Sequence, residues 1–181
     1  MNLKTWSKTI LTVQKYLERV CNSIDGCIEK RVNASAFVTS KTLAENSSEA
    51  IANWIIEMSQ RKVNLINLNV ICMNALKGID KTLAKILALK HFDNMPFNEI
   101  YQLLNISERT YFRKLNSAYQ NFERWLIENG YSSEYFQSLL EKEGWIFEIY
   151  YENERQLLNT NKEIIFNLNN LNFDKICSVY R

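Results

Sequence analysis

Apolar residues recur every three or four positions along the first 27 residues of the chain, which is the spacing of one face of an α-helix. The row lasts for roughly three heptads and predicts a long N-terminal helix. Two roles are open for this helix. It lies against its own domain, or it pairs with a second copy to give a homodimer through residues 3–27. The row consists of Leu3, Trp6, Ile10, Val13, Leu17, Val20, Ile24 and Cys27.

The pattern is lost over residues 31–46, where Asn, Ser and Thr predict a polar link and a segment boundary. Asn46-Ser47-Ser48-Glu49 then has the form of a capping box that opens a helix. Further apolar stripes predict three successive helices. These are a second helix with Ile51, Trp54, Ile55 and Met58, a third with Leu65, Leu68, Cys72, Ala75 and Leu76 that ends at Gly78, and a fourth that Asp80 caps.

Capping residues predict the remaining helices. Pro96 begins a short helix to Leu104, and Ser107 caps a helix that runs to about Asn129 and stops at Gly130. Ser132 or Ser133 opens another, which ends near Gly144. Residues 145–151 fit a strand or a buried helix, and periodicity cannot decide for so short a run. A capping box at 160–163 favours a last helix over 161–170.

Composition supports a helical protein. The 181 residues include only 4 Gly and 1 Pro, which is too few turn residues for a β-sandwich or a doubly wound α/β fold. The apolar fraction of 46% is enough to build a core. No apolar run is long enough to span a membrane, and the N-terminus lacks the features of a signal peptide, so a cytoplasmic location is expected.

Little in the sequence indicates catalysis or a cofactor. The cysteines at 21, 27, 72 and 177 form no metal-binding spacing and are expected to be reduced, buried side chains. No glycine-rich phosphate loop occurs. His91, the single histidine, has no evident catalytic partner and, near a helix end, is expected to be a capping or a surface residue. We therefore expect no enzyme activity, no metal and no cofactor.

Residues 96–118 have the pattern of a helix-turn-helix. Ile100 and Leu104 share the inner face of a short first helix, and Ile106 fills the turn. Asn105 stands where such a turn often needs a positive φ, which asparagine tolerates. From the second helix Tyr111 and Leu115 return to the same core.

The outer face of that second helix carries the candidate chemistry. In a helix-turn-helix, the N-terminal part of the second helix meets base edges in the major groove. Arginine and asparagine can make paired hydrogen bonds to guanine and adenine. Lysines at 114 and 90 are placed for phosphate contacts. The predicted DNA-binding residues are Ser107, Glu108, Arg109, Thr110, Phe112, Arg113, Lys114, Asn116 and Lys90.

The run from Leu83 to Phe92, Phe97-Asn98-Glu99-Ile100, and the run from Ile106 to Leu115 together resemble region 4 of sigma-70 factors. They look still more like the sigma-region-4-like regulators of the ArpU and RinA type found in phages and Gram-positive bacteria. The similarity covers about residues 65–128. It implies a helical DNA-binding core, transcriptional regulation and contact with RNA polymerase. Tyr101 departs from the pattern, because a small residue usually stands there.

We therefore expect an all-α protein, a helical bundle that contains a helix-turn-helix, with a long N-terminal helix and a C-terminal helical extension. The predicted segments are 1–46, a DNA-binding core at 47–130 and an extension at 131–181. The expected function is sequence-specific binding of double-stranded DNA. The alternative is a helical protein-interaction module that does not bind DNA, which the net charge of only +2 and the many aromatic residues favour. An exposed basic ridge at Arg109, Arg113 and Lys114 would favour DNA.

Overall fold

A computed structural model describes residues 1–36 and 44–158, which form seven helices and no strand. The expected all-α bundle is confirmed. The undecided run at 145–151 is helical and belongs to the last of the seven. The helices are α1 (Leu3–Ala36), α2 (Ala44–Gly78), α3 (Lys81–His91), α4 (Phe97–Leu103), α5 (Glu108–Glu128), α6 (Ser133–Leu139) and α7 (Gly144–Leu158).

The first helix lies in the centre of the bundle. It packs against α2, α3, α5, α6 and α7. Six members of its predicted apolar row, from Trp6 to Ile24, are at most 5% exposed, and they belong to one core with residues of the other helices. The row therefore serves its own chain, and a homodimer through residues 3–27 is not supported, because pairing there would require the core to open.

Polar contacts join the two ends of the described chain. The backbone N–H of Asn2 donates to the hydroxyl of Tyr150 at 2.6 Å, and the Lys8 ammonium donates to Gln156 Oε1 at 2.7 Å. Between these, Asn153 donates to the buried hydroxyl of Thr9 at 3.1 Å. Helix α7 is thus attached along the N-terminal half of α1, and residues predicted as an extension form part of the common core.

The second helix differs from the prediction. Residues 44–78 form one helix of 35 residues, so the two helices expected at 51–58 and 65–76 are continuous. The continuity has a simple cause, since no Gly or Pro occurs between these stripes. The helix begins at Ala44, so the predicted capping box at 46–49 does not open it, and the predicted boundary at 46/47 lies inside it. Residues 31–36, expected in the polar link, end α1.

A buried ion pair fixes α2 to the start of α7. Arg61 Nε donates to Glu143 Oε1 at 2.8 Å, and the indole N–H of Trp145 donates to Glu143 Oε2 at 2.9 Å. Both charged residues are almost completely buried. Glu143 stands just before α7, which starts at Gly144, whereas the sequence predicted that the preceding helix would end there. That helix, α6, ends at Leu139.

Three other features bear on the predictions. Cys21 and Cys72 are free thiols as expected, but Cys27 is disulfide-bonded, so the expectation of a reduced thiol is wrong there. Among the described residues, no helix has both the length and the apolar character to cross a membrane. The helix predicted over 161–170 and its capping box lie outside the described residues.

Gly78, at the end of α2, allows a close approach of α5. A Cβ added at Gly78 would collide with the indole ring of Trp125. We expect Gly78→Ala to destabilise the fold, because either α2 or the large indole would have to shift. The matched control is Gly26→Ala in α1, where an added Cβ meets nothing. That change should stabilise by about 0.5–1 kcal/mol, the usual gain of Ala over Gly within a helix. Urea unfolding of both variants measures the difference, and changes of the same sign would contradict the packing described.

Candidate nucleic-acid interface

The connection between α4 and α5 is a tight turn built on Asn105. The N–H of Asn105 donates to the carbonyl of Gln102, and the N–H of Ile106 donates to the carbonyl of Tyr101, both at 3.0 Å. This pair of bonds is the Schellman arrangement, in which the residue after the helix takes a left-handed conformation. Asn105 has φ of 50°, as the sequence predicted. The turn therefore ends α4 sharply and sends the chain straight into α5.

Ser107 begins α5 as its N-cap. Its hydroxyl oxygen accepts from the N–H of Thr110 at 3.2 Å, and the two side-chain hydroxyls lie 2.8 Å apart. This confirms the predicted cap. It also means that both hydroxyls, which the sequence analysis placed among the DNA-binding residues, already have a role in starting the helix.

Apolar side chains hold α4 and α5 together on their inner faces. Ile100, Tyr111 and Leu115 are at most 5% exposed, while Leu104 and Ile106 are half-buried against the same core. All five were predicted to form this core. Because α5 also packs on α1, α2 and α3, the direction of its N-terminal half is fixed by the whole bundle.

The opposite side of α5 is exposed to solvent. We call this surface the outer face of α5. It consists of the five residues that the sequence analysis placed on it, all of them exposed: Glu108, Arg109, Phe112, Arg113 and Asn116.

The two arginines of the outer face are available to a ligand. Within the described part of the chain, neither Arg109 nor Arg113 forms an ion pair. A guanidinium that is not held by a carboxylate can donate a bidentate pair of hydrogen bonds to a phosphate or to a guanine edge. Glu108 contributes an opposing negative charge in the first turn.

An aromatic pair borders the outer face. The rings of Phe112 and Phe97 lie 5.7 Å apart, and each residue is more than 40% exposed. Phe97 starts α4, so this pair also bridges the two helices across the turn. Phe112 was among the predicted residues and Phe97 was not, because no spacing within α4 indicates a contact with α5.

Lys114 lies to one side of the arginines. It is half-buried, and its charge contributes to lowering the pKa of Asp80. The main cause of that lowered pKa is the pair of backbone N–H groups, of Leu83 and Thr82, that Asp80 receives as the N-cap of α3. Lys114 therefore lies on the flank of α5 that faces the start of α3, about 100° around the helix from Arg113. Arg109, Arg113 and Lys114 thus do not form one exposed basic ridge.

Lys90 lies in the last turn of α3. It is close to Lys8, and Lys8 also lies near the ring of His91. The imidazole Nε2 of His91 is in turn 2.6 Å from the hydroxyl of Tyr119. Tyr119 is about 15 Å along α5 from Arg109. The structure therefore places Lys90 near Lys8 of α1, and its phosphate contact stays a prediction. No sequence signal could have shown this, since the two lysines are far apart in the chain.

His91 is buried, so the surface position, one of its two expected roles, is wrong. Its Nδ1 lies 3.3 Å from the hydroxyl of Thr12, so the ring joins α3 to both α1 and α5. Burial lowers the pKa of His91 to about 3, and the nearby charges of Lys90, Lys8 and Lys15 add to the effect. Burial likewise lowers the pKa of Lys8 to about 8, with Lys90 contributing and Glu152 opposing. His91 is thus a neutral structural residue at neutral pH.

No protein-family model, curated protein or solved structure matches this chain. Within the described ranges, no cluster of His, Cys, Asp and Glu has the form of a metal site.

The buried imidazole predicts a dependence of stability on pH. Unfolding returns the pKa of His91 from about 3 to its ordinary value of 6.5, so the unfolded chain takes up a proton that the folded chain rejects. The free energy of unfolding should therefore fall as the pH drops below about 6.5, by up to roughly 1.4 kcal/mol per pH unit from this residue. His91→Gln keeps a neutral hydrogen-bonding side chain and should lose this part of the dependence.

Urea unfolding of both proteins between pH 7 and pH 5 isolates the contribution of His91, since the other groups are common to both. The difference in the free energy of unfolding between the two proteins should change with pH. Parallel curves would show that His91 can be protonated in the folded protein.

Proposed function

We propose that this protein binds double-stranded DNA in a sequence-specific manner and acts as a transcriptional regulator. In this proposal α4, the turn at Asn105 and α5 act as a helix-turn-helix. The N-terminal half of α5 enters the major groove, and Arg109, Arg113 and Asn116 contact base edges.

One observation carries the proposal: two arginines without ion-pair partners in the described chain share an exposed helical face with an amide. These are the side chains that read guanine and adenine in the major groove. The face lies on the first turns of a helix that follows a tight turn and is held from behind by a buried core. A reading helix needs such a rigid support.

The remaining predicted residues take narrower roles in this proposal. Lys114, on the flank of α5, contacts phosphate, and Phe112 with Phe97 contacts the sugar or the thymine methyl group by apolar packing. Ser107 and Thr110 hold the start of α5. Lys90, which lies with Lys8 at the α1 side of the bundle, is not part of the reading surface.

A helical interaction module without DNA binding is the second candidate. A row of exposed apolar side chains on α2 favours it, because solvent-facing rows of this kind usually meet another protein. The two candidates differ in their response to salt. Contacts to phosphate release condensed counterions from DNA, whereas a protein-interaction module would bind duplex DNA weakly or not at all.

The test uses the full chain and a fluorescent pool of short random-sequence duplexes. Binding to such a pool is mostly non-specific. Arg109 and Arg113, which contact base edges only on the specific site, are then expected to neutralise one phosphate each, as Lys114 does, and log affinity should fall with log salt with a slope of about −3. Replacing any one of the three by Ala should reduce the slope by about 1. Fluorescence anisotropy at several salt concentrations measures the slope.

Arg124→Ala is the matched control. Arg124 is also an exposed arginine of α5, but it lies about 20 Å further along the helix than Arg109. It should leave the slope unchanged. A slope near zero for the wild-type protein, or an equal effect of Arg124→Ala, would contradict binding through the outer face of α5.

A further inference from the structure

Helix α2 has a second apolar face that points to solvent. Its members follow one another at intervals of seven, three, four and three residues, and each is 40–65% exposed. Single exposed apolar residues are ordinary on protein surfaces, but a row at heptad spacing along one helix is typical of a coiled-coil seam. We call this row the α2 seam. It consists of Ile56, Val63, Ile66, Val70 and Met73.

The α2 seam is separate from the face that α2 contributes to the core. The core face contains Met58, Leu65, Leu68, Cys72 and Ala75, all of which are at most 1% exposed. The bundle around α1 already covers the other side of α2, and it therefore cannot shield the seam from water. Within the described ranges nothing covers the seam, so it is open to contact with a further molecule.

The charges around the seam restrict what that molecule can be. No charged residue occurs between Lys62 and Lys77, and the side chains beside the seam are amides such as Asn67, Asn69 and Asn74. Lys62 is already paired with Asp25 of α1 at 2.7 Å. The seam carries no charge of its own before Lys77, which is exposed one heptad after Val70. Most of its length therefore offers nothing that would select an acidic or a basic partner, and nothing that would repel an identical face.

We propose that the α2 seam is a homodimer interface and that its occupant is the α2 seam of a second copy of this chain. A two-fold axis brings identical patches together, so the apolar rows meet each other and the neutral amides flank them on both sides. Ile56, Val63 and Val70 occupy one heptad position and Ile66 and Met73 the other, so the side chains of one copy can pack between those of its partner. The seam is about 26 Å long.

The size of the seam predicts a moderate affinity. Five half-exposed large side chains form a patch of several hundred Å², which is the range in which exposed patches mark interfaces. Two such patches with their flanking amides would together bury an area near the lower limit for specific protein–protein interfaces. The dimer should therefore dissociate on dilution. The proposal depends only on α2, so the absence of DNA binding would not contradict it.

Light scattering of the full chain after size-exclusion chromatography tests the proposal over a range of concentrations. The wild-type mass should rise from 21.4 kDa towards twice that value as the concentration increases. Ile66→Glu, near the middle of the seam, should hold the mass at 21.4 kDa. Ile127→Glu is the matched control, because Ile127 is 60% exposed on α5, away from the seam. It should behave like the wild type.

Mixing two variants guards against an effect on folding alone. Ile66→Glu and Ile66→Lys should each be monomeric, and an equimolar mixture should recover dimers, because the two opposite charges then lie in the same interface. Circular dichroism confirms that each variant is helical. A wild-type protein that stays at 21.4 kDa at every concentration would overturn the proposal, and so would an Ile66→Glu variant that dimerises as well as Ile127→Glu does.

Discussion

The burial of Trp6 is the contact on which the rest of the structure depends. Its indole lies among three aromatic rings, those of Phe136, Phe147 and Tyr150, at 4.8–5.9 Å between ring centres. These rings come from α6 and α7, so the first helix of the chain is enclosed by the last two. With α1 held in this way, its remaining apolar side chains cover parts of α2, α3 and α5. The start of α5 can then stand on a rigid base although the short α4 alone could not support it.

Much of the local structure could be predicted because single residues decide it. Asp80, Asn105, Ser107 and Gly130 each satisfy or end a helix terminus through their own side chain or backbone, and the helix ends at these positions were predicted correctly. The continuity of α2 was not predicted, because its two apolar stripes were assigned to separate helices although no Gly or Pro lies between them. The position of α1 was left open because a heptad row is the same whether it meets its own chain or another.

Contacts between distant segments could not be predicted from spacing. The Arg61–Glu143 pair and the grouping of His91 with Thr12 and Tyr119 exist only because α1 brings the helices together. For the same reason, spacing could not show that Lys90 lies near Lys8 of α1. The outer face of α5 was predictable, since all of its residues lie on one helix and helical periodicity alone places them. The exposed residues of a single helix could therefore be predicted more reliably than any site that several helices form together.

Selection of bound duplexes from a random DNA pool tests most directly whether the outer face of α5 reads sequence. The account predicts that the wild-type protein enriches a short motif. It also predicts that a double variant with Arg109→Ala and Arg113→Ala loses this enrichment while it melts like the wild type, because both side chains are exposed and their removal leaves the core intact. Absence of any enriched motif with the wild-type protein, or recovery of the same motif with the double variant, would contradict the account.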